Sequence, residues 1–87
     1  MTEPRDIRLK RLRMRSMRRG IKEMDMILIR YSGSRLDALG PDELDVYDAL
    51  LSENDQDLYQ WVSGQAAPPD RFSALVEDIR QVIGTAE

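Results

Sequence analysis

The 87-residue sequence contains neither cysteine nor histidine. Without cysteine no disulfide can form, which is typical of proteins kept in a reducing compartment. The lack of both residues also excludes zinc sites of the Cys/His type, cysteine or histidine nucleophiles and a histidine general base. We therefore predict no metal site, and enzymes that depend on these groups are excluded.

Long apolar segments are also absent. No run approaches the roughly 20 apolar residues that a helix needs to span a bilayer, and the N-terminus lacks the apolar core of a secretory signal. We therefore predict a cytoplasmic protein that does not insert directly into a membrane.

Charge is distributed unevenly along the chain, although the net charge is only −3. Residues 1–20 contain eight cations and two acids, whereas the remainder contains five cations and fourteen acids. A basic segment on an acidic body suggests a nucleic-acid, membrane or acidic-protein partner. The acidic body argues against nucleic acid or a membrane as the sole partner. In addition, no aromatic residue lies among the arginines to stack on bases. Nucleic acid is therefore not our main prediction.

Strand-like alternation is missing, and helical periodicity accounts for nearly all of the chain. The predicted helices are 4–18, 21–31, 41 to about 51, 54 or 55 to 62, and about 70–83. They predict an all-α fold, a compact single-domain bundle of about five short helices. This domain would comprise residues 1–87, with a core from about 5 to 84 and a few flexible residues at each end.

The second predicted helix carries the most apolar residues. A buried face follows the i, i+3, i+4, i+7 spacing, with Met24, Ile27, Leu28 and Tyr31. Ile21, Met26 and Ile29 spread the apolar character further, which predicts a central helix. We expect Ser32-Gly33-Ser34 to end it. In the fourth helix Leu58 and Trp61 are predicted to be structural anchors of the core.

Two helices carry rows of charge. Arg8, Arg11, Arg15 and Arg18 recur at steps of three and four, on one face of the first helix. We interpret this face as solvated, with a docking strip for an acidic surface or for phosphates as the alternative. The third helix carries an acidic row that we also interpret as solvated, because it lacks the spaced oxygen ligands and glycine turn of an EF-hand. Its members are Asp42, Glu43, Asp45 and Asp48.

The stretch Arg18–Asp25 joins the basic segment to the apolar helix. Gly20 is unfavourable inside a helix and natural at a joint between two. Glu23 would then lie in the first turn of the next helix, where the dipole favours a carboxylate. Two interpretations stay open. The stretch is either a charged helix–helix turn or a recognition surface on which Arg19 and Glu23 project beside a backbone that a partner approaches closely at Gly20.

Three sequence motifs resemble those of one family. Arg19-Gly20-Ile21-Lys22-Glu23 matches the R-G-x-x-E signature of the succinate dehydrogenase assembly factors, also called FAD assembly factors, and Met24-Asp25 fits its continuation. Leu39 to Glu43 resembles the family's L-x-x-x-E segment, and Asp55 to Trp61 resembles its D-x-D-L-x-x-W segment. The resemblance covers roughly residues 8–80. Gly40 departs from it, because members often have serine or threonine there as a helix cap.

This resemblance implies a non-enzymatic assembly factor. Such proteins bind the flavoprotein subunit of succinate dehydrogenase, and in some bacteria fumarate reductase, and promote covalent attachment of FAD to a histidine of that subunit. The chain itself would bind no cofactor stably. Apart from the resemblance, we expect a monomer or weak dimer, because exposed apolar surface on so small a domain supports weak self-association. The motif implies that Arg19, Gly20 and Glu23 meet the flavoprotein near its FAD. The further predicted members of this surface are Arg15, Arg18 and Asp25.

Other functions stay open at this point. Relatives in the family have been labelled antitoxin-like, so the main alternative is a nucleic-acid-binding regulatory protein that uses the basic first helix. A small enzyme built on Arg19, Glu23 and Asp25 has no reaction that we can assign. A generic helical adaptor would make the R-G-x-x-E match a coincidence.

Overall fold

The structure is a computed structural model that describes residues 3–84. Over these residues it contains five α-helices, one 3-10 helix and no strand, which confirms the all-α fold. The elements are α1 (Arg5–Arg15), α2 (Lys22–Arg35), the 3-10 helix (Leu36–Ala38), α3 (Pro41–Leu51), α4 (Asp55–Val62) and α5 (Asp70–Gly84). The radius of gyration is 12.2 Å, and a compact chain of this length is expected to have about 12 Å. The ends that were predicted to be flexible include residues 1–2 and 85–87, which lie outside the described residues.

Local sequence signals explain where α3 and α4 begin and where α4 ends. The backbone amide of Gly40 donates to Glu43 Oε1 at 2.8 Å, and Pro41 occupies the first helical position. Asn54 caps α4, because its Oδ1 accepts a hydrogen bond from the amide of Gln56 at 2.8 Å. Gly64 follows α4 with a φ of 85°, a left-handed conformation that suits glycine.

The core lies between α2, α3, α4 and α5, and Leu12 of α1 also reaches it. Leu58 is fully buried and Trp61 is 9% exposed, and the Trp61 ring packs against Phe72 at a centroid distance of 5.9 Å. The residues that bury their side chains there are Leu12, Met24, Leu28, Tyr31, Leu36, Leu39, Leu44, Tyr47, Leu50, Leu51, Leu58, Trp61, Val62, Phe72, Leu75, Val76, Ile79 and Val82. All but Leu12 and the 36–39 segment belong to α2, α3, α4 and α5.

The predicted break at Ser32-Gly33-Ser34 is wrong. Helix α2 continues to Arg35 and passes directly into the 3-10 helix. Ser32 is buried and its hydroxyl donates to the Ile29 carbonyl at 3.1 Å, so the serine is accommodated within the helix. Burial of Tyr31 and Leu36 on either side favours a continuous helix, and such tertiary packing overrides the weak intrinsic preferences of serine and glycine.

Although α2 carries apolar residues around much of its circumference, it is not buried on all sides. Met26 is 63% exposed and Ile29 is 43% exposed, whereas Met24 and Leu28 are fully buried. Positions 24, 28 and 31 share one helical face, and residue 26 lies about 200° around the helix from residue 24. The prediction of a central helix therefore holds for one face only.

Several members of the two charged rows pair with each other, although Asp45 stays 69% exposed to solvent. Arg8 pairs with Asp45, Arg11 pairs with Asp48 at 3.1 Å, and Arg15 also pairs with Asp48. The interpretation as a solvated face is therefore wrong for Arg8, which is 16% exposed, whereas Asp45 remains solvated as predicted. Three arginines of the row, Arg8, Arg11 and Arg15, thus meet acids of α3 in the same chain.

Candidate functional site

The turn between α1 and α2 comprises residues 16–21. Helix α1 ends at Arg15, three residues before the predicted end, where the amide of Ser16 donates to the carbonyl of Leu12 at 3.0 Å. Arg18 has a φ of 57°, the left-handed conformation, and Gly20 has no positive φ. The turn's unusual backbone angle therefore belongs to Arg18. A non-glycine residue in this conformation costs about 1–2 kcal/mol, so the turn depends on contacts made by its neighbours.

The carboxylate of Asp55, at the start of α4, provides those contacts. Arg19 donates to Asp55 Oδ1 from Nε at 2.8 Å and pairs with it through Nη2 at 2.7 Å. The amide of Gly20 donates to the other oxygen, Oδ2, at 2.6 Å. We call this arrangement of Arg19, Gly20 and Asp55 the Asp55 clamp.

The Arg19 side chain is directed into the protein. It is only 12% exposed, and it also donates to the backbone carbonyls of Arg15 at 3.1 Å and Glu53 at 3.5 Å. The expectation that Arg19 projects from the surface is therefore wrong. Its long-range partner is an acid of this chain, and a role in binding another protein stays a prediction.

Gly20 is exposed, but the position that a side chain would occupy faces Asp55. A Cβ built on Gly20 would lie 3.1 Å from Asp55 Oδ2, closer than most such contacts. The close approach that we predicted for a partner at Gly20 is thus already made by Asp55. A glycine is favoured here because it lets the backbone amide approach the carboxylate without displacing it.

Glu23 lies in the first turn of α2, as predicted, and is exposed. It lines an open, largely apolar groove with Met26, Ile27, Arg30, Tyr59 and Ile83. We call this the Glu23 groove. Met26, which is 63% exposed, is one of the residues that line it. Asp25 is half-buried and accepts a long hydrogen bond of 3.4 Å from the amide of Arg19, so it supports the turn.

The two remaining predicted residues differ from each other. Arg15 is half-buried, pairs with Asp48 and donates to the hydroxyl of Ser52 at 3.0 Å. Arg18 is exposed and has no ion pair among residues 3–84. The structure therefore leaves Arg18, Gly20 and Glu23 accessible, while Arg15, Arg19 and Asp25 make contacts within the protein. Whether these residues bind a partner stays a prediction.

Sequence reasoning missed the part that Asp55 plays. Asp55 was predicted only as the first acid of the D-x-D-L-x-x-W segment and, with Asn54, as one of two candidates for the cap of the fourth helix; Asn54 is that cap, and no contact of Asp55 with the turn was predicted. The signal was the co-occurrence of that segment with R-G-x-x-E in one short chain. The structure brings the two segments together, although Gly20 and Asp55 are 35 residues apart in sequence.

The contact between α1 and α3 includes two groups whose pKa values are shifted, Asp48 and Tyr47. Burial alone raises the pKa of Asp48, but the hydrogen bonds and charges of Arg11 and Arg15 outweigh this effect and hold the pKa below its usual value of 3.8. Burial raises the pKa of Tyr47. Over the described part of the chain, no group of three or more acidic side chains could hold a metal ion, and no helix is long and apolar enough to cross a membrane.

Comparison with known proteins identifies relatives. Residues 10–83 match the family described as flavinator of succinate dehydrogenase. The chain is 43% identical over 61 residues to succinate dehydrogenase assembly factor 2, mitochondrial, of Meyerozyma guilliermondii, covering 70% of this chain and 45% of that protein. It is 36% identical over 72 residues to the protein of the same name from Schizosaccharomyces pombe, covering 83% and 52%.

A bacterial relative is similar in length. The FAD assembly factor SdhE of Legionella pneumophila strain Lens is 35% identical over 63 residues, covering 72% of this chain and 80% of that protein. The chain thus spans about half the length of the two mitochondrial relatives and most of the bacterial one. The family match includes the R-G-x-x-E turn, the Asp55 clamp and the Glu23 groove. This chain therefore belongs to the family of succinate dehydrogenase flavinators.

Proposed function

We propose that this chain binds the flavoprotein subunit of succinate dehydrogenase and promotes its covalent flavinylation with FAD. The observation that carries the proposal is the family match over residues 10–83, whose description names this activity. The relatives are named as assembly factors for succinate dehydrogenase or for FAD. The fumarate reductase flavoprotein is a further client that this proposal allows.

The structure offers a surface suited to such binding. Glu23 and Gly20 are exposed on a turn whose backbone is tied to α4 by the Asp55 clamp. Beside Glu23, the groove presents an exposed methionine and the cation of Arg30. Methionine adapts to irregular apolar partners, and the two charges give direction to the contact. A fixed helical surface of this kind can dock on another protein with little loss of its own conformational freedom.

The mechanism that follows is positioning. Covalent flavinylation requires the accepting side chain of the flavoprotein to be held close to the flavin ring, and positioning of reacting groups can remove a large part of a barrier. A factor that binds one arrangement of the flavoprotein better than the others shifts its population toward that arrangement. In this proposal Glu23 pairs with a donor of the flavoprotein, and the groove next to it fixes the docking angle.

The proposed role is binding, without a catalytic step in this chain. FAD belongs to the flavoprotein, and we assign neither a bound cofactor nor a metal to the factor itself. Its state as a monomer or weak dimer and its cytoplasmic location stay predictions from the sequence.

One observation counts against nucleic-acid binding as the main function. Five arginines of the basic segment already pair with acids of this chain: Arg8, Arg11, Arg13, Arg15 and Arg19. Phosphate binding at these positions would have to replace pairs that the fold provides. Binding driven by phosphates would also weaken steeply with added salt.

The test is co-expression with the succinate dehydrogenase flavoprotein in cells lacking any such factor. Covalent FAD is read as flavin fluorescence of the denatured flavoprotein band in a gel. We expect fluorescence with the wild-type chain and a loss with Glu23→Ala. Truncating one member of a desolvated charged pair costs about 2–5 kcal/mol, which weakens binding at least about 30-fold.

The matched control is Glu77→Ala, which removes an exposed glutamate of α5 that lies outside the Glu23 groove. It should flavinylate like wild type. A wild-type chain that produces no covalent FAD would refute the proposed function. Equal fluorescence with Glu23→Ala and Glu77→Ala would refute the role of Glu23 alone.

A further inference from the structure

One carboxylate connects the two most specific segments of the sequence. Asp55 accepts hydrogen bonds from the side chain of Arg19 and from the backbone of Gly20, and each of its oxygens serves a different residue of the turn. Asp55 is also the first residue of α4, where the helix dipole favours a negative charge. Its side chain is 18% exposed, so water screens these contacts less than at an open surface.

The clamp acts on the part of the turn that leads into Glu23. Arg18 holds an unfavourable left-handed conformation just before it, and α2 begins at Lys22, directly after Gly20 and Ile21. Ile21 precedes α2 without a side-chain cap, so the cap itself does little to fix the direction of the first turn. The contacts of residues 19 and 20 with α4 therefore determine where Glu23 is held relative to its groove, whose other wall includes Tyr59 of the same helix α4.

We propose that Asp55 is a positioning residue for flavoprotein binding, and that it holds the turn so that Glu23 and the groove face the flavoprotein together. This inference rests on the proposed function and adds a residue that does not itself need to touch the flavoprotein. When the clamp is broken, the turn samples other conformations, and the apparent affinity falls in proportion to the fraction that remains competent.

Asp55→Asn is the sharpest perturbation, because both oxygens of Asp55 face donors. The amide that replaces the carboxylate has one acceptor oxygen and one NH2 group. Either Arg19 or the Gly20 amide must then face a donor. The shape of the side chain is retained and the charge is removed.

Two control variants distinguish a positioning role of Asp55 from a simple loss of charge and from a general loss of stability. Asp57→Asn removes an exposed acid from the same first turn of α4, so it tests the loss of charge. Ile79→Val trims a fully buried residue of α5, so it tests a general loss of stability with the clamp intact.

The experiment measures three quantities for wild type and each variant: unfolding in urea, hydrogen exchange of the Gly20 amide, and the Kd for the purified flavoprotein. We expect Asp55→Asn to remain folded, to lose protection at Gly20, and to bind roughly tenfold more weakly, the factor expected for loss of one hydrogen bond to a charged group. Saturating amounts of this variant should restore covalent FAD. Asp57→Asn and Ile79→Val should bind like wild type.

The inference is overturned if Asp55→Asn binds the flavoprotein like wild type. It is also overturned if Ile79→Val, at the same loss of stability as Asp55→Asn, weakens binding as much as Asp55→Asn does. Unchanged exchange at Gly20 in Asp55→Asn would also overturn it. Should Asp55→Asn not fold, Arg19→Lys gives the same comparison, because a single ammonium group cannot replace the guanidinium fork. A wild-type chain that yields no covalent FAD would instead refute the proposed function, so the two failures are distinct.

Discussion

The buried contact between Ser16 and Tyr47 joins the first residue of the 16–21 turn to α3. Both residues are fully buried, and their hydroxyl oxygens lie 2.5 Å apart. The Ser16 hydroxyl also donates to the carbonyl of Leu12 at 2.8 Å. Because a serine hydroxyl has a single hydrogen, Tyr47 must be the donor to Ser16. Burial raises the pKa of Tyr47, so the phenol keeps its proton.

This order of donors predicts that the two single substitutions have unequal effects. In Tyr47→Phe the Ser16 hydroxyl retains its bond to Leu12, so the loss is one hydrogen bond, about 0.5–1.5 kcal/mol. In Ser16→Ala the phenol of Tyr47 is left buried without its acceptor, which costs about 1–3 kcal/mol. The double variant removes both polar groups and should be less destabilised than Ser16→Ala alone.

The assay is urea unfolding of wild type, both single variants and the double variant at pH 7, followed by circular dichroism. The m-value should stay constant, so that shifts in the midpoint report stability. Tyr59→Phe is the control, because Tyr59 is half-buried and its hydroxyl has no hydrogen bond to residues 3–84. It should change stability little.

Two results would contradict this reasoning. If Tyr47→Phe were as destabilising as Ser16→Ala, the donor assignment would be wrong. If the double variant lost the sum of the two single effects, the hydroxyl groups would not be coupled at all.

Two further predictions concern α2 and the contact between α1 and α3. Gly33→Ala should raise the free energy of unfolding by about 0.5–1 kcal/mol, because Gly33 lies inside α2 and a Cβ there meets nothing within 4 Å; a fall in the melting temperature would contradict the continuous helix. Asp48→Asn should lower stability at pH 7, since Asp48 pairs with Arg11 and Arg15. The pKa of Asp48 is depressed in the folded state, so its contribution is present above the usual carboxyl value of 3.8 and is lost as the pH falls below it. Urea unfolding at pH 7 and pH 3 should show the gap between wild type and Asp48→Asn narrowing at the lower pH, whereas a gap that is constant or wider there would count against the pairing.

The local pattern of the sequence was enough to predict the fold class and most of the helices. The buried faces of α3, α4 and α5 follow helical spacing, and the starts of α3 and α4 carry their own signals at Pro41 and Asn54. These features depend on contacts between residues that are close in sequence, so they can be predicted from the sequence. Gly33 shows the limit of such predictions, because the packing of its neighbours keeps α2 helical despite the low helix propensity of glycine.

The motifs located the candidate site in the sequence, but they did not predict its geometry. R-G-x-x-E marked the turn, and Glu23 is exposed there as predicted. The same motif could not show that Arg19 is directed inward, because that depends on where α4 places Asp55. Sequence spacing assigns a residue to a face of its own helix but does not reveal what that face meets.

By itself, the sequence determined an all-α chain without cysteine or histidine, with its helices, their apolar faces and the motifs of its family. Only the tertiary structure decided which charges neutralise each other, that the arginines of α1 meet the acids of α3, and that Asp55 holds Arg19 and Gly20. The reason is that helix periodicity is set by bonds between near neighbours, whereas these pairs join residues 33 to 37 positions apart. Their partners are chosen by how the helices pack around the shared core.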